Sequence, residues 1–351
     1  MPRTSSRRVT QKRIAELAGV SQATVSMVLN ERRDGPARIP DPTRQRVLRI
    51  IQETQYVADP SARRLAGVDS QIVGVFTYEP AFPSESQDFY APLLTGIEAE
   101  AEELGCDLLV FTSAPVTDGR RRLFGGHSRL RLADGVLLLG VEMDADELDR
   151  LVDEAFRVVA VGRRVSPRIP YVGIDYVSAA KTLVRRAVGL GHTRVLSLRL
   201  GTEGESVHDR RAGVLAGVKG TGAELTELIA GPEDLDQSWG AVARLRPTLV
   251  IVEDSSLAEQ LVARADREGM AVPEGLSVIG LSAPERRGPV GARLTSLDPP
   301  RIELGRRCLA LLTRLLSDED RPDDTELRSL LPCPMHDGET LAAPPARRAN
   351  G

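Results

Sequence analysis

The chain has 351 residues, 41% of them hydrophobic, enough for more than one domain and a large core. No early apolar run has the form of a signal peptide and none approaches transmembrane length. Cys106, Cys308 and Cys333 are odd in number and far apart. Together these exclude an exported or membrane-spanning chain and point to a reducing cytoplasm. The net charge of −4 alone argues against a nucleic-acid binder, but its distribution argues the other way. Residues 1–70 hold 13 Lys and Arg against 7 Asp and Glu, a charge of +6, while the remainder carries 33 against 43, or −10. A basic head on an acidic body fits a DNA-binding module joined to a domain with another task.

Residues 1–8 form a polar, basic tail. Two short helices joined by a tight turn are expected over residues 9–30. Thr10 caps the first, whose apolar residues Ile14, Ala15, Leu17 and Ala18 recur at helical spacing. Gly19 supplies the positive φ that ends it, and Val20 plugs the corner. Ser21 caps the second helix, from Gln22 to Leu29. Val25, Val28 and Leu29 point inward, which leaves Gln22, Ala23, Ser26 and Met27 on the opposite face. This is a helix-turn-helix pattern, whose second helix enters a DNA major groove. An αα-hairpin inside some other core is the alternative, and the arginine-rich flanks weigh against it.

An arginine-rich loop over residues 31–40 follows, carrying Arg32, Arg33 and Arg38. Asp41 with Pro42 at the first helical position starts a third helix, and Val47, Ile50, Ile51 and Tyr56 close a miniature core. Residues 60–67, P-S-A-R-R-L-A-G, make a helical segment too short to persist alone in water.

From Gln71 the pattern changes to alternating strands and helices. Strands are expected at 72–78, 107–111, 135–139, 158–161 and 171–174, with helices at 89–104 and 145–154. The alternation resumes with helices at 179–190, 209–218, 238–244, 256–268 and 301–316, and strands at 194–198, 227–229, 248–252 and 277–281. Such alternation makes parallel sheets with helices on both faces. Two such units imply two lobes with a cleft at the carboxyl ends of their strands. The fold class is therefore a small all-α helix-turn-helix head plus an α/β body of two Rossmann-like parallel-sheet lobes. The expected boundaries are a head at 1–58, a hinge at 59–68, a two-lobed body at 69–342 and a loose tail at 343–351.

The stretch A-G-V-S-Q-A-T-V-S-M-V-L-N resembles the head of the LacI/GalR family of bacterial transcription regulators, with T-R-Q-R-V-L and the hinge P-S-A-R-R-L-A behind it. Further along, G-I-E-A-E-A-E-E-L-G, A-D-G-V-L-L-L-G, L-G-H-T-R-V, R-R-A-G-V, R-P-T-L-V-I-V-E-D, V-P-E-G-L-S-V-I-G and R-L-T-S-L-D-P-P-R-I-E-L-G match in order. The resemblance covers residues 9–340. It implies a homodimeric repressor of a pseudo-palindromic operator, with a periplasmic-binding-protein-like body. A small effector, a sugar or related metabolite, closes the cleft and thereby shifts the hinges.

Carried onto this sequence, the resemblance gives base reading to Gln22, Ala23 and Met27. Gln22 suits adenine and Ala23 a thymine methyl, whereas Met27 stands where the family has an arginine for guanine. Thr10, Ser21, Thr24 and Asn30 match phosphate-contacting positions, although several are equally well placed as ordinary caps. Ala62 and Leu65 share the hinge face. Leu65 is the expected minor-groove wedge, unstacking a base step at a cost of roughly a few kcal/mol.

In the cleft, Arg210 matches the arginine that holds a polar effector group. Asp254 matches an aspartate beside which Glu253 replaces asparagine. Ser282, with Ala283, replaces an acidic pair, which weakens the case for a typical free sugar. Asp175 and Phe89 are further lining candidates. No cofactor or metal is expected: there is no G-x-S-x-G elbow, P-loop, G-x-G-x-x-G fingerprint or metal-ligand cluster, and His127, His192, His208 and His336 are scattered. Ligand-responsive regulator is thus preferred over exported solute-binding protein and over enzyme. A regulator without a small effector is the remaining alternative.

Overall fold

The computed structural model describes residues 9–29, 39–54, 56, 70–79, 87–117, 120–124, 129–283, 293–317 and 320–345. The chain divides between Gln71 and Ile72 into two compact units. The expected arginine loop over residues 31–38, the hinge segment and the end of the tail lie outside the described residues.

The first unit holds helices α1 (Gln11–Ala18), α2 (Gln22–Leu29) and α3 (Asp41–Glu53). Thr10 Oγ1 accepts from Arg13 N at 3.3 Å, and Gly19 ends α1 with φ +63°. Only a residue without Cβ adopts that conformation at no steric cost. Ser21 Oγ accepts from Thr24 N at 3.1 Å and so caps α2. The N-cap of α3 is Pro40 rather than Asp41, with Pro42 in the first turn. Arg46 of α3 donates Nε to Ala18 O at 2.9 Å, which satisfies a carbonyl that the end of α1 leaves open. The core consists of Ile14, Ala15, Ala18, Val25, Val28 and Val47, with Ile50, Ile51 and Tyr56 packed against it. Leu17 departs from the expected stripe and is 47% exposed. Both partner helices use the Ile14–Ala15–Ala18 face, and Leu17 lies on its flank.

The second unit contains two six-stranded sheets. The first is built from β1 (Ile72–Thr77), β2 (Asp107–Phe111), β5 (Gly135–Leu139), β6 (Val158–Val161), β7 (Tyr171–Ile174) and β13 (Arg328–Leu331), ordered β2-β1-β5-β6-β7-β13 and parallel throughout. A two-residue hairpin, β3 (Val116–Thr117) with β4 (Arg120–Arg121), stands apart from it. The second sheet runs β9 (Glu224–Ile229), β8 (Arg194–Arg199), β10 (Leu249–Val252), β11 (Ser277–Gly280), β12 (Thr295–Leu297) and β14 (Met335–His336), with only β14 antiparallel. Runs such as Val158–Val161 and Leu249–Val252 are fully buried because helices cover both faces of each sheet.

Those helices are α4 (Gln87–Leu104), α5 (Ala145–Asp153), α6 (Tyr176–Gly189), α7 (Glu205–Val218), α8 (Leu235–Leu245), α9 (Ser255–Arg267) and α10 (Arg301–Leu316). In the first lobe α4 and α10 approach very closely. A Cβ at Gly305 would stand 2.2 Å from Leu93 O, and one at Gly96 would stand 1.9 Å from Ile302 O. The two helices meet backbone to backbone, so only glycine fits at either crossing point.

Three short strands, β12, β13 and β14, were not expected from the pattern. They arise because the chain returns to the first lobe after Leu297 for α10 and β13, then to the second for β14. Their partners are non-local sheet edges, and prolines at 299, 300, 332 and 334 hide any strand pattern. The strand order reverses beside β1 and β5 in one lobe and beside β8 and β10 in the other. Ligands in open α/β sheets bind outside the carboxyl ends of strands at such reversals.

Candidate functional site

On the head, Gln22 and Ala23 are exposed on the outer face of α2, with Thr24, Ser26 and Met27 half-buried beside them. Gln22 Nε2 reaches only 3.5 Å from Gln11 Oε1, a marginal hydrogen bond that leaves its amide available for other partners. Thr10 and Ser21 both act as helix caps. A cap hydroxyl accepts from the backbone and retains its own O–H. Ser21 Oγ and Thr24 Oγ1 lie 2.9 Å apart, so one proton joins the two hydroxyls and the other is free to point outward. Asn30, Ala62 and Leu65 lie outside the described residues.

In the body, a partly open cavity of about 70 Å³ lies between the carboxyl ends of β5 and β6 in one lobe and the first turns of α6 and α7 in the other. Its walls include Tyr90, Gly140, Arg163, Arg164, Tyr176 and Arg210. Helix α7 begins at Glu205, not at Asp209 as the sequence suggested. That earlier start places Glu205, Ser206, Asp209 and Arg210 on two successive turns facing the other lobe.

Charge pairs cross the cleft there. Arg163 grips Asp209 with Nε to Oδ2 and Nη2 to Oδ1, both at 2.6 Å. Arg164 donates Nη1 to Glu205 Oε2 at 2.6 Å and Nη2 to Gly140 O at 2.8 Å. The Asp209 carboxylate raises the Arg163 pKa above its ordinary value, against the desolvation of its half-buried site. Two backbone bonds reinforce the closure, Val165 N to Glu205 Oε1 at 3.3 Å and Glu203 N to Glu142 Oε1 at 2.7 Å.

Arg210 is 9% exposed and donates Nε to Glu253 Oε1 at 2.8 Å, while its guanidinium lies 4.7 Å from the centre of the Tyr176 ring. Burial works against the Arg210 charge; Glu253 and Tyr176 outweigh it and raise the pKa. Glu253 is 3% exposed and its second oxygen accepts from Leu200 N at 2.8 Å. Burial also raises the pKa of Tyr176, which therefore stays neutral.

Of the residues expected to hold an effector, Arg210 lines the cavity and Glu253 holds it from behind. Ser282 Oγ donates to Glu253 O at 2.7 Å and so buttresses that strand end. Asp254 and Asp175 serve as N-caps, accepting from Leu257 N at 2.8 Å and Ser178 N at 2.9 Å. Neither is among the cavity walls. Burial raises the Asp254 pKa despite the helix N–H groups it accepts from. Phe89 belongs to α4, but its side chain lies outside the described residues.

Arg163, Arg164, Asp209, Tyr90 and Tyr176 were not singled out from the sequence. A signal existed for two of them: G-R-R directly follows the buried run Val158–Val161, at the end of a parallel strand where ligands bind. His192 hydrogen-bonds Ala342 O through Nε2 at 2.8 Å and so ties the chain end to the second lobe. Among the described residues no helix is long and apolar enough to cross a membrane.

Residues 10–59 match the family model for bacterial regulatory proteins of the lacI family, and residues 145–340 match that for the periplasmic binding protein-like domain. The chain is 28% identical over 334 residues to the HTH-type transcriptional regulator CelR of Thermobifida fusca, covering 91% of this chain and 94% of that protein. It is 28% identical over 321 residues to catabolite control protein A of Priestia megaterium, covering 87% and 92%. Its fold matches the lac repressor dimer bound to operator and the anti-inducer ONPF with a TM-score of 0.74, at 20% identity over 96% of this chain and 100% of that one. A capped helix-turn-helix, two facing parallel-sheet lobes and these matches lead to one conclusion: the chain belongs to the LacI/GalR family of DNA-binding transcriptional regulators.

Proposed function

We propose that this regulator is a cytoplasmic, homodimeric repressor whose grip on a pseudo-palindromic operator is set by a small molecule held between its two lobes. The observation that carries this reading is the inter-lobe cavity beside the strand-order reversal of the first lobe, with the buried Arg210 of the second lobe in its wall. In each protomer α2 lies in a major groove, where Gln22, Ala23 and Met27 meet base edges. Thr10, Ser21, Thr24 and Asn30 meet phosphates. Ala62 and Leu65 of the hinge, residues 59–68, enter the minor groove and bend the duplex. Within the body, residues 69–342, Arg210 addresses the effector. Glu253 holds that arginine and Ser282 braces the strand end that carries Glu253, with Asp254, Asp175 and Phe89 as further effector-binding candidates.

Mapping of bound DNA across the genome, followed by fluorescence anisotropy on the recovered sites with random competitor, tests the reading. Specific binding to two-fold symmetric sites is expected, weakened far more by Leu65→Ala than nonspecific binding is. An equal affinity for every duplex at moderate salt would refute it. Insensitivity of operator affinity to every metabolite fraction of a cell extract would remove the effector and leave an effector-independent regulator.

A further inference from the structure

The two lobes are joined across the cleft by groups of the chain itself. Arg163 holds Asp209 through two parallel bonds at 2.6 Å, and Arg164 holds Glu205 at 2.6 Å. Both arginines follow β6 in the first lobe, and both carboxylates lie on the first two turns of α7 in the second. The side chains of Asp209 and Arg164 are only 11% and 4% exposed, so water and salt screen these pairs far less than a surface pair. Val165 N and Glu203 N donate across the same seam, to Glu205 and Glu142.

Beside the ion pairs the lobes touch closely. A Cβ added at Gly204, the N-cap residue of α7, would stand 2.5 Å from Val141 O and 2.7 Å from Val141 Cγ1, both in the first lobe. Gly204 has φ −68° and ψ 148°, an ordinary extended conformation open to any residue. Glycine is therefore required there by the approach of the other lobe and not by the turn. The cavity between the lobes at this spacing is about 70 Å³. A cavity that accepts benzene measures about 150 Å³, so a sugar ring with its substituents does not fit inside while the lobes stand this close.

We propose that these contacts form a latch by which the chain itself holds its lobes shut, and that the effector, a molecule of sugar size or larger, acts by parting them. The second half rests on the effector reading and deepens it, and it reverses the expectation that the effector closes the cleft. A ligand shifts a two-state equilibrium only through the difference in its affinity for the two states. Where the chain's own bonds already favour the closed form, a ligand that fits that form has little left to shift. One that needs a wider cleft moves the population the other way. Parting also releases the Arg163 guanidinium and the Asp209 and Glu205 carboxylates, donors and acceptors that suit a hydroxylated ligand.

Hydrogen–deuterium exchange of dialysed full-length protein, read by mass spectrometry, reports the latch through peptides covering residues 163–166 and 201–206. Slow exchange is expected in both. Gly204→Ser places a Cβ at the seam and alters no charge, and serine caps a helix at least as well as glycine. It should speed exchange in both peptides by about tenfold or more, while peptides from β6 and β10 stay protected. Asp209→Asn, which removes one ion pair, should speed it by a smaller factor. Fast exchange in the unaltered protein overturns the latch, as does exchange in Gly204→Ser no faster than in the unaltered protein. Operator affinity, measured by fluorescence anisotropy, tests the direction of the effector's action. Gly204→Ser should shift it the same way that cell-extract metabolites shift the unaltered protein. A shift the opposite way, or none, overturns the parting action and leaves the effector reading standing. An extract without effect removes the effector reading and the parting action together, and exchange alone then decides the latch.

Discussion

The head and the body reach stability by opposite routes. The head is three short helices around six buried aliphatic residues, with its turns set by Thr10, Gly19 and Ser21 acting on their own neighbours. The body buries several aliphatic clusters between sheets and helices, and its strongest polar features join residues far apart in sequence, such as Arg163 with Asp209 and Arg210 with Glu253. A small core leans on local capping, whereas a large one can bury charge pairs. Single substitutions should therefore act very differently in the two units.

The largest effect should come from Gly305→Ala. Its new Cβ would meet the Leu93 carbonyl at 2.2 Å, a backbone clash that no rotamer change relieves. The body's thermal transition should fall by an amount at or above the top of the roughly 1–3 kcal/mol range for overpacking, with the head's transition unmoved. A body as stable as the original would show that α4 and α10 do not cross so closely.

Next is Arg210→Ala. Removing one member of a buried pair typically costs about 3–5 kcal/mol because the other charge is stranded. Chemical denaturation should show that loss, and adding Glu253→Gln should recover much of it. An effector assay on Arg210→Ala alone would then confuse a damaged lobe with a lost ligand contact. The double variant separates the two. Full stability in the single variant would mean that Glu253 is not desolvated as the structure has it.

Ser21→Ala tests the head. Loss of a helix cap costs about 1 kcal/mol, a large share of what so small a core provides. The head's melting temperature should drop and the body's should not. Equal shifts in both would deny the local character of head stability.

The smallest effect concerns pH. Burial raises the folded-state pKa of Asp254 above its unfolded value, so the folded chain holds the proton more tightly. The protonated form contributes stability at low pH, and this is lost as pH rises from the ordinary carboxylate value through the raised one. Asn caps helices as well as Asp does. Asp254→Asn should therefore raise the body's melting temperature at neutral pH, with the difference vanishing below the ordinary carboxylate range. A difference that persists in acid would assign it to packing instead.

The same division governs what could be read in advance. In the head, Thr10, Gly19 and Ser21 announce helix ends through residues adjacent to them, and the structure places those ends there. Leu17 escaped because which face of a short helix is covered depends on partners elsewhere in the chain. In the body the long alternating elements were legible, but the start of α7 was set four residues late. Glu205 and Ser206 look like loop residues until the opposite lobe supplies Arg164 and Val165 N for Glu205 to bind.

The sequence by itself determined the capped helix pair, the alternation of buried strands with amphipathic helices, and the position of Arg210 on one of those helices. These depend on period, on φ preference and on side chains that reach only a few residues away. Tertiary structure decided the rest. It determined which sheet β12, β13 and β14 complete, that Asp254 and Asp175 cap helices, and that Arg163, Arg164 and Arg210 each find a carboxylate of their own. Ion pairs and edge strands belong to residues distant in the chain, and no local pattern specifies a partner that only chain folding brings near.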